Sequence, residues 1–511
     1  MAKYRGNPMS ENLFSLIRSR MPDGAKAFMT TPDGGKITYA ALVESSARLA
    51  HVLQTLGVVP GERVAVQVEK SPEAVLLYLA CLRAGAAFLP LNTAYTLAEL
   101  EYFISDATPR LVVCSPAKRE GIAKLAERFG AACETLGVKG DGSLLEKMRA
   151  APADFTDVAR RKDDLAAILY TSGTTGRSKG AMLSHGNLAS NAQTLMEYWR
   201  FGERDVLLHA LPIYHSHGLF VAINTLLLCG GSLLFLPKFD ADEVFRLLPQ
   251  ASAMMGVPTF YVRLVDDPRL TRAAVSHMRL FVSGSAPLLA ETHRAFFEKT
   301  GHAILERYGM TETNMNTSNP YDGERVPGSV GFALPGVELR IADPETGVAT
   351  PQGEIGMIEV KGPNVFSGYW RMPEKTKTEF RADGFFITGD LGRIDERGYV
   401  FIVGRGKDLV ISGGFNVYPK EVENEIDALP GVKESAVIGL AHKDFGEGVT
   451  AIVVPQKNAS LDECEILDAL AERLAKFKLP KRVIFVDELP RNAMAKVQKN
   501  ELRETYKDLY K

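Results

Sequence analysis

Thr171, Ser172, Gly173, Thr174, Thr175, Gly176 and Lys179 crowd into one short stretch after an apolar run, and their types suit the holding of phosphate. Glycine admits backbone with φ > 0 and lets amide groups come close to an anion. The hydroxyls donate to phosphate oxygens, and Lys179 adds positive charge. A mobile surface linker has the same composition, so the loop alone decides nothing. It is not a Walker A loop, which needs Gly-Lys-Ser/Thr after four residues. Gly176-Arg177-Ser178-Lys179-Gly180 does spell the Gly-x-Ser-x-Gly elbow of hydrolases. An elbow serine, however, stands directly at a strand-to-helix turn, whereas Ser178 comes eight residues after the apparent strand end at Tyr170.

Other residues gain meaning only from company. Glu312 alone is a solvated acid or a Mg²⁺ ligand, since magnesium takes one or two carboxylates with phosphate oxygens and waters. Asp390 after Thr388-Gly389 is a turn residue or a hydroxyl clamp. His209, His215 and His217 lack the carboxylate or cysteine partners of a metal set. Arg263, at a helical position, points to solvent or into a pocket. In a pocket it suits a carboxylate held bidentately, and a fatty acyl tunnel has no use for it, because an unpaired buried guanidinium is costly.

The elements that must position these groups alternate strand and helix. Arg63–Val68 reads as a strand, with Ser71 as N-cap and Pro72 and Glu73 opening a helix that ends near Gly85. Similar units recur at Leu111–Cys114, Leu165–Tyr170, Ser232–Leu236 and Leu280–Val282, which predicts parallel sheets covered by helices on both faces. From Gly328 the runs shorten between Gly, Pro and Asp turns (Val337–Ile341, Ile355–Val360, Tyr399–Val403), predicting an antiparallel, barrel-like subdomain. The α/β organisation expected is therefore a large domain of two helix-covered, mostly parallel sheets plus that subdomain over 1–404. A hinge over 405–408 and a small mobile α+β domain over 409–511 follow.

The bulk numbers exclude some classes. Sixty basic against 62 acidic residues leave a net charge of −2, which offers no footprint for nucleic acid or an anionic membrane. The five cysteines are scattered without CxxC spacing and read as buried thiols of a reducing compartment. Leu219–Leu236 is the most membrane-like stretch, but Gly230-Gly231-Ser232 breaks it, so helix, turn and strand is the expectation and no membrane insertion is foreseen. Lys3 and Arg5 are not followed by an apolar region, and a cytoplasmic location is expected. Oligomeric state is left open.

Five segments in order carry a resemblance. They are the loop at 171–180, Tyr308-Gly309-Met310-Thr311-Glu312, Thr388-Gly389-Asp390, Gly404-Arg405-Gly406-Lys407-Asp408, and Pro490 to Lys496. Together they resemble the signatures of the acyl-adenylate-forming superfamily, which includes acyl-CoA synthetases. The resemblance implies ATP, Mg²⁺ and coenzyme A as cofactor and co-substrates. It implies nucleotide contacts from the loop residues, from Gly284, Ser285 and Ala286, and from Glu306, Arg307, Tyr308 and Gly309. Thr311 would contact the α-phosphate, Glu312 the Mg²⁺, Asp390 and Arg405 the ribose, and Lys496 the carboxylate and α-phosphate as they join. Lys407 and Asp408 match the family's hinge, and Ser412, Gly413 and Gly414 would line the thiol tunnel. Related lysines are acetylated, so a lysine acetyltransferase acting on Lys496 is an implied partner. The chain departs from the pattern at Ala493 and Ala495, where a polar residue and glycine are usual. Alanine costs roughly 1 kcal/mol if φ > 0 is required at Ala495.

The segments around His215, Arg263 and Met310–Ser318 are similar to malonyl-CoA synthetases. That implies an acid site built from Arg263, Ser285, His215 and Met310, with malonate, or also methylmalonate, as the acid. A medium-chain or aryl acid:CoA ligase and a catalytically silent nucleotide-binding homologue are the alternatives.

Overall fold

The computed structural model describes residues 10–171, 178–412, 415–474, 476–492 and 496–510. They form two compact units. The first runs through Pro327 and adds Phe332–Glu338 and Lys361–Gly384; the second takes Gly328–Gly331, Leu339–Val360 and the chain from Phe385. The strands Phe386–Ile394 and Val400–Arg405 pack in the same unit as the helix Pro419–Asp427, which contacts the latter strand directly.

The first unit holds two sheets. One takes its strands in the order Ala132–Thr135, Leu111–Cys114, Arg63–Gln67, Ala87–Pro90, Leu165–Thr171, Lys179–Ser184. All neighbours are parallel except the last pair. The other takes the order Phe332–Ala333, Asn314–Ser318, Leu305–Met310, Leu280–Ser283, Ala253–Gly256, Val206–His209, Ser232–Phe235, Ala27–Thr30, Lys36–Thr38. Its centre is parallel and its two margins are antiparallel. Apolar runs in these strands are buried on both faces, which places the cores around Leu208, Met254 and Phe281 in one sheet and Ala65, Leu89 and Val112 in the other.

Local signals were obeyed. Ser71 accepts a hydrogen bond from Ala74 N, Pro72 opens the helix Pro72–Ala84, and Gly85 closes it at φ 70°. Leu219–Leu236 resolves into the end of a π-helix over His217–Ile223, the helix Asn224–Cys229, a left-handed Gly230 and the strand Ser232–Phe235. Among the described residues no helix is long and apolar enough to cross a membrane. One expectation needs correction: Cys464 is exposed, because it stands in the first turn of the helix Glu463–Ala471, whose buried residues are Ile466 and Leu470.

The second unit contains a sheet in the order Glu338–Ala342, Gly356–Lys361, Phe386–Ile394, Val400–Arg405, whose last three strands are antiparallel. A further sheet runs Phe415–Val417, Val410–Ser412, Gly446–Pro455, Val432–His442, with Arg482–Phe485 parallel to Gly446–Pro455. Val422, Ile426, Val437 and Val453 form part of its core.

Candidate active site

The glycine-rich loop joins two antiparallel strands, with Thr171 in register with Lys179. Ser172, Gly173, Thr174, Thr175 and Gly176 lie outside the described residues. The hydrolase elbow is excluded, since Ser178 precedes the strand Lys179–Ser184 and no helix begins until His185. The helix Leu97–Ala107 braces the base of this hairpin: Tyr102 OH donates to Ser178 O (2.7 Å) and Tyr170 OH to Asp106 Oδ2 (2.5 Å). Lys179 is only 7% exposed. Its Nζ lies 4.2 Å from the Tyr369 ring centroid and 3.5 Å from Glu379 Oε1.

The Tyr308–Glu312 segment ends the strand Leu305–Met310 and enters a second tight turn, which leads to the strand Asn314–Ser318. A Cβ at Gly309 would stand 1.8 Å from Asn314 O, so only glycine closes it. Asn314 takes φ 50°, a region asparagine tolerates. The turn leaves Glu312 5% exposed, accepting from Tyr369 OH at 3.0 Å and from Thr171 Oγ1 at 3.4 Å. Thr311 and Met310 are half-buried beside it, and Tyr308 is buried. No cluster of three or more His, Cys, Asp or Glu able to hold a metal occurs among the described residues. A single buried carboxylate fits Mg²⁺ that takes its other ligands from phosphate and water, and does not fit a protein-caged metal.

Gly284, Ser285 and Ala286 follow the strand Leu280–Ser283. Ser285 holds φ 72°, rare for a side-chain-bearing residue, and its Oγ is 3.2 Å from His217 Nδ1. Beneath Gly284 lies Arg307, whose Cζ would be 2.4 Å from a Cβ there. Arg307 is 3% exposed, and neither its Nε nor its Nη2 has a hydrogen-bond partner among the described residues. Burial pushes its pKa down to about 9, against the opposing pull of Glu306 and Tyr261. Glu306, also buried, accepts from Leu288 N at 3.0 Å. His217 is driven well below the usual imidazole range by burial first and then by Arg307, His215 and His209, so it is neutral. His215, half-buried, accepts from His217 N at 3.3 Å. His209 takes a hydrogen bond at Nδ1 from Lys70 Nζ (2.8 Å), which leaves its Nε2–H to donate to Gly218 O (2.8 Å). Arg263, on the helix Pro258–Asp266, is exposed, with its guanidinium 5.9 Å from the Phe239 ring centroid.

The second unit carries its own charged group. Asp390 and Arg405 face each other across two strands, Arg405 Nε lying 2.7 Å from Asp390 Oδ1. Thr388 fixes the approach, its hydroxyl accepting from Asp390 N (3.1 Å) and donating to Ile358 O (2.7 Å). Lys496 retains solvent exposure, yet its pKa is lowered to about 8. The protein atoms packed around it act first, then Arg405 and Lys407, while Asp390 and Asp408 oppose the shift. Lys499 is a different case, bound at 2.5 Å to the buried Glu423 and so committed to structure. Lys407 and Asp408 form a single 3₁₀ turn, and Asp408 accepts from Arg503 Nη2 at 2.7 Å. Ser412 is buried at the end of the strand Val410–Ser412. Gly413, Gly414, Ala493 and Ala495 lie outside the described residues.

Sequence reasoning passed over Tyr369, Glu379 and Lys70. A tyrosine between Gly368 and Trp370 reads as turn packing, and nothing in the chain order links it to Glu312. Ser367-Gly368 is the one local signal the chain offers there, and it points to a turn and not to a ligand site.

Two sheets that aim a phosphate-type hairpin, the buried carboxylate of Glu312 and a buried cation at their strand ends define a nucleotide-handling α/β enzyme. The chain belongs to the AMP-binding enzyme family, matching it over residues 18–370 and matching the family's C-terminal domain over residues 421–496. More particularly, it is similar to the ATP-bound MatB from Rhodopseudomonas palustris, with 66% identity, a TM-score of 0.97, and 98% of this chain and 100% of the other covered. A feruloyl-CoA synthase of Amycolatopsis sp is 36% identical over 96% of this chain and 97% of its own. A mitochondrial malonate–CoA ligase of Mus musculus is 36% identical over 92% of this chain and 86% of its own.

Proposed function

We propose that the chain is an AMP-forming acid:CoA ligase whose acid is malonate, with methylmalonate as a second substrate. A malonate oxygen attacks the α-phosphorus of ATP and pyrophosphate leaves; the sulfur of CoA then attacks the acyl carbon and AMP leaves. Negative charge gathers at every stage, so the reaction needs cations and fixed donors. Lys179 and the loop hydroxyls take the phosphates, Thr311 the α-phosphate, and Tyr308 with residues 284–286 the adenine side. Mg²⁺ held by Glu312 would neutralise phosphate charge. Asp390 and Arg405 hold the ribose, and Lys496 bridges the joining anions. A swing about Lys407–Asp408 would withdraw Lys496 and bring Ser412, Gly413 and Gly414 to the thiol.

The observation that carries the dicarboxylate reading is Arg307. A buried guanidinium without a hydrogen-bond partner at two of its nitrogens is costly, and it lies under the Gly284–Ser285 backbone beside neutral His217. Its charge favours an acid that keeps a second carboxylate after the first becomes an anhydride, with exposed Arg263 as the direct partner. Similarity to feruloyl-CoA synthases favours the second reading, an aryl acid ligase, whose ring would leave that charge uncompensated.

CoA-dependent AMP formation with malonate, methylmalonate, hexanoate and ferulate side by side tests this. Turnover of the monoacids alone would sink the malonate assignment, and lack of acid-dependent pyrophosphate–ATP exchange with any acid would favour a silent homologue. Arg263→Leu should raise the malonate KM far more than the ATP KM; equal effects would contradict its place in the acid site. The free thiols accord with a reducing, cytoplasmic setting. The exposure of Lys496 supports its access to a lysine acetyltransferase, whose product would remove the charge.

A further inference from the structure

Tyr369 touches two groups that the proposed reaction uses, and it does so through different parts of one side chain. Its ring faces Lys179 Nζ at 4.2 Å from the centroid, a cation–π distance. Its hydroxyl donates to Glu312 Oε1 at 3.0 Å. The ring has little freedom. Trp370 N donates to Gly180 O (2.7 Å) and Met182 N to Gly368 O (3.0 Å), which pins the segment along the strand Lys179–Ser184. Tyr369 N donates to Thr376 Oγ1 (2.9 Å), and Phe366 packs edge-on at 4.8 Å between ring centroids. Tyr369 is 3% exposed.

A buried, backbone-fixed phenol that holds an ammonium on its face and a carboxylate at its tip fixes the distance between them. Without it, Lys179 and Glu312 would pair with each other or swing apart, since opposite charges in a low-dielectric site attract strongly. We propose that Tyr369 is the positioning residue of this site, keeping the phosphate-facing lysine and the metal-facing carboxylate apart and aimed. This rests on the reading of Lys179 and Glu312 as phosphate and metal contacts. The hydroxyl acts on the metal through Glu312, as outer partners of a ligating carboxylate do. The ring acts on the phosphates through Lys179.

The two functions separate by substitution. Full-length protein is mixed with ATP and no acid, Mn²⁺ is titrated, and free Mn²⁺ is read by electron paramagnetic resonance. ATP binding with EDTA present is measured by calorimetry. Tyr369→Phe keeps the ring, and should weaken Mn²⁺ by roughly 10-fold while leaving metal-free ATP binding unchanged. Tyr369→Leu should weaken Mn²⁺ as much and metal-free ATP binding by roughly fivefold as well. Glu312→Gln should weaken Mn²⁺, and Glu312→Gln/Tyr369→Phe should be no weaker than Glu312→Gln alone, because the hydroxyl works through that carboxylate. Wild-type Mn²⁺ affinity in Tyr369→Phe, with Glu312→Gln impaired, overturns the inference while sparing the reading beneath it. Unimpaired Glu312→Gln overturns both. Additive losses in the double variant reveal a packing role and overturn it too.

Discussion

Arg307→Met should make the protein more resistant to heat and poorer with malonate, a pairing that ordinary core substitutions do not give. The fall in the Arg307 pKa from 12.5 to about 9 corresponds to about 5 kcal/mol of lost preference for the charged form. Not all of this is recoverable. Methionine fills the volume imperfectly, and Glu306 loses a neighbouring cation. Because burial outweighs the pull of Glu306 on the guanidinium, relief of that burial should exceed what Glu306 loses, and a net gain of about 2 kcal/mol is expected. For a chain of this size that is a rise in Tm of roughly 2 °C, read by scanning calorimetry. Losing the cation should lower kcat/KM for malonate by about 30-fold or more, with a smaller change for hexanoate. Arg307→Lys should keep part of the malonate activity and gain less stability. A fall in Tm together with an unchanged malonate-to-hexanoate ratio would refute the reasoning, since Arg307 would then be a structural cation.

Two further outcomes follow from the charges. Lys496, with its pKa lowered to about 8, loses its proton as pH rises through that value. Acid-dependent pyrophosphate–ATP exchange should therefore decline above pH about 8, whereas CoA-dependent consumption of supplied acyl-adenylate should not share that decline. Lys496→Arg should move any remaining decline upward, and a profile flat to pH 10 would contradict the need for the ammonium. Glu379 occupies Lys179 at 3.5 Å while Lys375 Nζ approaches the same oxygen at 2.5 Å. Glu379→Gln should lower the ATP KM about twofold to fivefold by removing a competing anion. A raised KM would show that Glu379 positions Lys179 for phosphate.

The sequence disclosed the units whose signals are local. Ser71-Pro72 and Gly85 announce a helix because a cap, a fixed φ and a left-handed closure are properties of single residues. The glycine-rich loop was legible as a phosphate binder only through its order among other segments, and its hairpin geometry was not. Strand pairing is a non-local property, so the return of Lys179–Ser184 beside Leu165–Thr171 left no mark beyond an apolar run. The π-helix at His217–Ile223 was hidden for a related reason. It contains Gly218, where a Cβ would lie 2.1 Å from Pro212 O and whose carbonyl accepts from His209 Nε2 at 2.8 Å, contacts made across the fold and not along the chain. The burial of Arg307 and Glu306 was not legible either, since both side chains are polar and their setting depends on the elements packed over the strand Leu305–Met310.

Those buried charges explain how a chain of net charge −2 can host a site for several anions. Net charge governs solubility and long-range steering; a site depends on which groups stay ionised and where. In the first unit, burial with Lys70 and Arg307 nearby keeps His209 and His217 neutral, so neither adds diffuse positive charge. Among the cations of that unit, Lys179 is held by a tyrosine face and a replaceable glutamate, and Arg307 is held under a glycine. In the second unit, Lys499 is bound by Glu423, while Lys496 sits among Arg405 and Lys407 with a weakened hold on its proton. A lysine that pairs fully with its own unit has nothing left for a substrate. One packed among charges of both signs (Arg405 and Lys407, Asp390 and Asp408), with no ion pair of its own among the described residues, still has its charge to offer an arriving anion. Lys496 has that environment and Lys499 does not, and this physical difference, more than position near the end of the chain, supports the proposal that Lys496 meets the joining carboxylate and phosphate.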